Sequence, residues 1–136
     1  MKKSGLIAGL IIIALTAGSV LAFGKSYARD IYTYDCEILE QRPEQLTKFC
    51  ADAGVYVYNI KWERWGYNGA EGSGTYSENL CEPSCAEGER LDSPVKVFLT
   101  DLKTDGKKYY LTKFRYQGKE PFIPNELISD TWEVGF

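Results

Sequence analysis

Residues 95–116 read VKVFLTDLKTDGKKYYLTKFRY, and this stretch decides the fold class. Residues 95–102 and 109–116 are rich in β-branched and aromatic side chains and alternate between apolar and polar positions, which is typical of half-buried strands. Between them lies the dipeptide Asp105-Gly106, which favours a tight turn between antiparallel strands. The stretch therefore predicts a β-hairpin.

The sequence on either side of this hairpin predicts further strands. Residues 55–62 (VYVYNIKW) and 75–78 have the composition of strands, and residues 131–134 predict a last short one. Residues 68–74 (NGAEGSG) contain three glycines. Because glycine adopts positive φ without steric cost, this composition predicts a turn.

The region before residue 55 is less regular. Residues 23–35 are interpreted as a linker or a first irregular strand, and Pro43 breaks any helix through residues 36–50, leaving at most a helical turn at 43–48. The predicted fold is mainly β, a small antiparallel β-sandwich or barrel with two disulfides, preceded by an N-terminal apolar helix.

The N-terminal segment differs from the rest of the chain. Lys2 and Lys3 precede an uncharged apolar run at residues 5–23. We interpret residues 1–28 as a signal peptide or a signal anchor, because the run suits a secretory signal and is also just long enough to span a bilayer. Both interpretations make residues 29–136 a single exported, extracytoplasmic β domain, secreted or membrane-anchored.

The composition excludes several classes of function. The chain has 136 residues, with 16 basic side chains, 19 acidic ones and no histidine. Histidine-dependent catalysis and histidine-ligated zinc or haem are therefore excluded. The mildly acidic balance argues against nucleic-acid binding, and we expect no cofactor.

The four cysteines predict two disulfides, because an even number on an exported chain is typical of cross-linking. They are Cys36, Cys50, Cys81 and Cys85. Their spacing fits neither a repeated zinc knuckle nor a C-x2-C redox site. Of the three pairings, we favour those that join the 36–50 region to the 81–85 turn, because a longer closed loop removes more entropy from the unfolded chain.

Residues 49–97 carry four short motifs. They are Cys-Ala-Asp at 50–52, Trp-x-x-Trp at 62–65, Gly-x-Gly-Thr at 72–75 and Asn-x-Cys-x-Pro-x-Cys-Ala-x-Gly at 79–88. In these motifs the chain resembles a group of small exported actinobacterial proteins of unknown function. The resemblance implies an extracytoplasmic, disulfide-tied domain and implies no activity.

Three aromatic residues form the candidate ligand-binding group. Strand parity places Trp65 and Tyr67 on one face and Trp62 on the other. Such rings either stack on a ligand or fill a small core, and the core interpretation is preferred.

Charge is unevenly distributed along the chain. Residues 71–92 are crowded with carboxylates, which we interpret as a solvated loop face rather than a glycosidase pair or a calcium site, since no calcium-loop spacing is present. Residues 96–119 hold seven basic and two acidic side chains. Such a basic segment suits an anionic envelope polymer or lipid headgroups, or protects strand edges from pairing.

These observations predict an exported, non-enzymatic β domain that binds or has a structural role at the cell surface. Its expected partners are a cell-envelope polymer or protein, together with the membrane if residues 5–23 are not cleaved. The alternative is a secreted hydrolase or carbohydrate-binding accessory protein that uses the Trp62/Trp65 region and the acidic 71–92 loop.

Overall fold

The computed structural model describes residues 30–124 and 127–135, which are 61% strand and contain no helix. The mainly β prediction is confirmed for these residues. The predicted apolar helix and signal segment, residues 1–28, lie outside them. Within the described part of the chain, no helix has the length and hydropathy needed to cross a membrane.

Eight strands form one mixed sheet in the order β2-β1-β7-β6-β5-β4-β3, with β8 also paired to β7. The strands are β1 (Ile31–Asp35), β2 (Ile38–Glu40), β3 (Leu46–Thr47), β4 (Val55–Gly66), β5 (Gly69–Asn79), β6 (Arg90–Thr104), β7 (Tyr109–Gly118) and β8 (Ser129–Glu133). The predicted hairpin of residues 95–116 is the β6–β7 pair. The antiparallel sandwich or barrel is corrected to an open mixed sheet, because β1 and β7 are parallel and no ladder joins β3 to β1.

A gap separates β3 from the side of the sheet that contains β1 and β8, and we call this gap the seam. One disulfide and several side-chain contacts bridge it. The Cys36–Cys50 disulfide crosses it. The Asp35 carboxylate accepts a hydrogen bond from the Thr47 backbone N–H at 2.7 Å. The Lys48 ammonium lies 2.7 Å from the Asp130 carboxylate. These links replace the backbone ladder that a closed barrel would have.

Two predicted local structures differ from the observed ones. The helical turn at 43–48 is absent, because its backbone bonds to neighbours instead: Ile60 N–H donates to the Glu44 carbonyl, and residues 46–47 form β3. The predicted turn at 68–74 is shorter than expected: residues 67–68 form it, Gly69 follows with a φ of 109°, and strand β5 begins at Gly69. Its glycine at 72 allows β4 to approach closely, since a Cβ there would overlap the Lys61 carbonyl oxygen.

Strand β4 contains two β-bulges, and they set which of its side chains enter the core. Its register against β5 shifts between Tyr58 and Lys61 and again between Trp62 and Arg64. Asn59, in the first shift, has a φ of 50°. Each bulge reverses the alternation that simple strand parity predicts.

The core lies on the inner face of the sheet and is built from aliphatic and aromatic side chains. Its buried members are Ile31, Leu46, Val55, Val57, Ile60, Trp65, Ala70, Tyr76, Val95, Val97, Leu99, Leu111, Phe114, Tyr116 and Val134.

The molecule has two distinct ends along the strand direction. One end, which we call the tyrosine end, contains Asp30 at the start of β1, the β4–β5 turn after Gly66 and the β6–β7 turn at residues 105–108. The loop end carries residues 48–54 and 80–89, which precede β4 and connect β5 to β6.

Candidate binding surface at the tyrosine end

The two tryptophans pack together against the core. Trp65 is 3% exposed, and its indole N–H donates to the Ile31 carbonyl at 3.1 Å. Trp62 is partly buried and donates to the Pro43 carbonyl at 2.8 Å. Their rings meet edge to face at 5.1 Å. The predicted placement of Trp62 on the opposite face from Trp65 is wrong, because the second bulge of β4 lies between them.

Tyr67 is the exposed member of the predicted aromatic group. It is 49% exposed, and its hydroxyl donates to the Asp30 carboxylate at 2.7 Å. That hydrogen bond, more than its partial burial, raises the pKa of Tyr67. Its ring meets the Tyr109 ring edge to face at 5.0 Å. Because Tyr109 packs against the core, the pair covers the core at the tyrosine end.

Three further tyrosines lie on the outer face of the same end. Tyr32 is opposite Tyr110 in the parallel β1–β7 register. Tyr34, two residues further along β1, stacks on Tyr110 with ring centroids 5.9 Å apart. The Lys108 ammonium lies 4.8 Å from the centre of the Tyr32 ring, a cation–π distance. Sequence reasoning missed these residues, because only the parallel β1–β7 pairing brings them together.

Asp105 in the β6–β7 turn fixes both the turn and Tyr110. Its carboxylate accepts a 2.6 Å hydrogen bond from the Tyr110 hydroxyl and 2.8 Å bonds from the Lys107 and Lys108 backbone N–H groups. The tyrosine hydrogen bond first, then the two backbone bonds, lower the pKa of Asp105 to about 2. The same carboxylate raises the pKa of Tyr110 to about 12. At neutral pH the acid is charged and the phenol is neutral.

The acidic stretch 71–92 does not converge on a single point. Glu71 pairs with the Arg64 guanidinium at 3.1 Å, and Asp92 accepts a hydrogen bond from the Tyr58 hydroxyl at 3.2 Å. Glu82, Glu87 and Glu89 are exposed at the loop end. Among the described residues, no group of three acidic, cysteine or histidine side chains is placed to hold a metal ion.

The cysteine pairing differs from the one that loop entropy favoured. Cys36 bonds Cys50, with Cα atoms 5.7 Å apart, and Cys81 bonds Cys85, with Cα atoms 3.7 Å apart. Both disulfides join cysteines that are neighbours in sequence. The entropy argument compared unfolded chains only, and it did not include the local contacts of the folded chain: Cys36 and Cys50 face each other across the seam, and the Asn79 side chain holds Cys81 and Cys85 within one short loop.

The longest sequence motif, residues 79–88, builds this loop. The Asn79 amide donates to the Cys85 carbonyl at 2.8 Å, and its oxygen accepts from the Cys81 N–H at 2.9 Å. A Cβ on Gly88 would overlap the Asn79 side-chain oxygen. The fixed asparagine, cysteines and glycine of the motif therefore have a structural explanation within the loop itself.

The structure thus places the candidate residues in two different environments. Trp62 and Trp65 belong to the core and its edge, whereas Tyr67 is exposed and packs on the half-buried Tyr109. Tyr32 and Tyr34 are half-buried on the outer face of the same end, where they pack on or beside the buried Tyr110. Comparison of the chain with protein-family models, with curated proteins and with solved structures finds no match.

Proposed function

We propose that this chain is an exported, non-enzymatic β domain that binds a component of the cell surface through its tyrosine end. The observation that carries the proposal is the convergence of five tyrosines and neighbouring lysines at one end of the sheet. Tyrosine offers a large apolar ring and a polar tip at low entropic cost, which is why it is enriched in binding surfaces. The five rings belong to Tyr32, Tyr34, Tyr67, Tyr109 and Tyr110. Tyr67 is the most exposed of them, Tyr32, Tyr34 and Tyr109 are half-buried, and the buried Tyr110 packs beneath Tyr34 and contributes no exposed ring.

Export is supported by the two disulfides, which are typical of chains that fold outside the reducing cytosol. The basic start and apolar run at residues 5–23 provide a route out of the cell. The resemblance of residues 49–97 to small exported actinobacterial proteins points the same way.

Binding is favoured over hydrolysis because the acidic side chains of residues 71–92 are dispersed between pairs and solvent. A glycosidase needs two carboxyl groups facing one bond. Trp65 is buried, so the paired tryptophans do not form the exposed platform that a carbohydrate-binding accessory protein would use.

The test measures binding of the purified protein to isolated membrane and wall fractions of the organism that encodes it. Tyr67→Ser removes the most exposed ring of the tyrosine end, and we expect a loss of affinity of about tenfold or more. Tyr58→Ser is the matched control, because Tyr58 also donates its hydroxyl to a carboxylate but lies away from this end. The proposal is wrong if the unmodified protein binds neither fraction, or if both variants bind as it does.

A further inference from the structure

We infer that the component bound by the tyrosine end is the surface of a lipid bilayer that carries anionic headgroups. This inference rests on the proposed function and specifies its partner. It is drawn from the reach of the N-terminal chain, from the chemistry of the exposed side chains and from the distribution of charge between the two ends.

The apolar run lies close to the domain along the chain. The run ends at Phe23, and the described chain begins at Asp30. The seven Cα–Cα steps from Phe23 to Asp30 span at most about 25 Å when fully extended. Asp30 belongs to the tyrosine end, where its carbonyl accepts a hydrogen bond from the Tyr109 N–H at 3.1 Å. An uncleaved apolar run therefore holds this end of the domain, and not the loop end, beside the bilayer.

The surface at this end presents tyrosine and lysine side chains. Tyrosine is enriched at membrane–water interfaces, because its ring enters the headgroup region while its hydroxyl stays hydrated. Lysine is attracted to anionic headgroups. Lys107 is exposed in the β6–β7 turn, and Lys108 lies over the Tyr32 ring.

The carboxylates of Asp30 and Asp105 also lie at the tyrosine end, where the three described lysines Lys103, Lys107 and Lys108 outnumber them. Asp30 accepts a hydrogen bond from Tyr67, and Asp105 accepts one from Tyr110 and two from backbone N–H groups. Lys103 lies opposite Tyr110 in the β6–β7 register and adds a third described lysine to this end.

The loop at the opposite end of the domain is acidic. Glu82, Glu87 and Glu89 are exposed in the loop that connects β5 and β6. An anionic surface repels these side chains and attracts the lysines of the other end. The domain is therefore oriented by its own charge distribution, with the tyrosines toward the lipid and the acidic loop away from it.

The experiment uses the full chain, with residues 5–23 present, reconstituted into vesicles. One set contains phosphatidylcholine alone, and the other also contains phosphatidylglycerol. Hydroxyl-radical footprinting with mass spectrometry then measures the oxidation rate of individual tyrosines. We expect Tyr67 and Tyr109 to be protected in the anionic vesicles relative to the neutral ones, and Tyr58 to oxidise equally in both.

Two charge-reversal variants separate a docked surface from general charge attraction. Lys107→Glu/Lys108→Glu alters the tyrosine end, and Lys96→Glu/Lys119→Glu makes the same change in charge on two exposed lysines away from that end. Each lysine near an anionic surface contributes about fivefold to membrane affinity, so the first variant should lose the protection and the second should keep it. Near-ultraviolet circular dichroism verifies that both variants fold.

The inference is overturned if Tyr67 is oxidised equally in both vesicle types, or if the two charge-reversal variants behave alike. Its failure is distinguishable from failure of the proposed function. Binding of the protein to lipid-free wall material, lost in Tyr67→Ser, would keep the tyrosine end as a binding surface and reject lipid as its partner. Insensitivity of all envelope binding to Tyr67→Ser would reject the proposed function itself.

Discussion

The two disulfides of this domain are similar in chemistry and different in what they join. Cys36–Cys50 crosses the seam, where the sheet has no backbone ladder to hold its two sides together. Cys81–Cys85 closes a short loop whose backbone is already held by the Asn79 side chain and by a hydrogen bond from Leu80 to Glu89. The place of a cross-link in the fold therefore matters alongside the number of residues that it encloses.

The seam is the part of the fold that depends most on side chains. Strand β3 has only two residues, so it contributes few ladder hydrogen bonds to the adjacent β4. On its other side, β3 is held through the disulfide, the Asp35–Thr47 hydrogen bond and the Lys48–Asp130 ion pair. Loss of one link therefore weakens the attachment of the whole 36–50 segment.

The largest expected effect comes from removing the seam disulfide. Cys36→Ser/Cys50→Ser opens a loop closed over a sequence separation of 14. Loss of this constraint on the unfolded chain should lower the free energy of unfolding by about 3 kcal/mol. Urea denaturation followed by tryptophan fluorescence measures the change, and a decrease below about 1 kcal/mol would contradict the importance of the seam disulfide.

A smaller effect is expected from the loop disulfide. Cys81→Ser/Cys85→Ser opens a loop closed over a sequence separation of only 4, for which the same relation gives at most about 2 kcal/mol. Because Asn79 still bridges the loop, we expect faster proteolysis within residues 80–89 and a smaller shift of the global unfolding midpoint than in the seam variant. A larger shift than in the seam variant would reverse the comparison.

The sequence predicted the parts of the fold that depend on local alternation. The strands predicted at 95–102, 109–116 and 55–62 lie within β6, β7 and β4, and the last strand, predicted at 131–134, overlaps β8 (Ser129–Glu133). The predicted turn at 68–74 is correct at its start, where Gly69 with a φ of 109° follows the turn residues 67–68, and wrong at Gly72 and Gly74, which lie in β5 and allow close approach of β4. Local composition does not distinguish these two uses of glycine.

The candidate surface was less predictable than the strands. Tyr67 was identified, but Tyr32, Tyr34 and Tyr110 come together only through the parallel pairing of β1 with β7. That pairing joins strands more than seventy residues apart in sequence, and no local pattern specifies it. Strand parity also does not indicate the bulges of β4, and it therefore predicts the wrong face for Trp62.

The smallest expected effect is the pH dependence of the third seam link. Burial by itself would raise the pKa of Asp130. The hydrogen bond from Lys48, the hydrogen bond from the Thr131 N–H and the positive charge of Lys48 together exceed this effect, so the pKa is lowered. A carboxyl group whose pKa is lower in the folded state stabilises the fold above its unfolded pKa of about 3.9 and loses that contribution as the pH falls through the folded value. We therefore expect Asp130→Asn to cost about 0.5–1 kcal/mol at neutral pH and nothing in strong acid.

A double-mutant cycle isolates this pair from the rest of the seam. Asp130→Asn, Lys48→Met and the double variant give the coupling free energy from denaturant unfolding at neutral and at acidic pH. The Lys48 and Asp130 side chains are 18% and 23% exposed, so salt should screen the pair less than a fully exposed one. A coupling that persists unchanged after Asp130 is protonated would show that Lys48 stabilises the seam by packing, and the comparison would then rest on the disulfide and Asp35 alone.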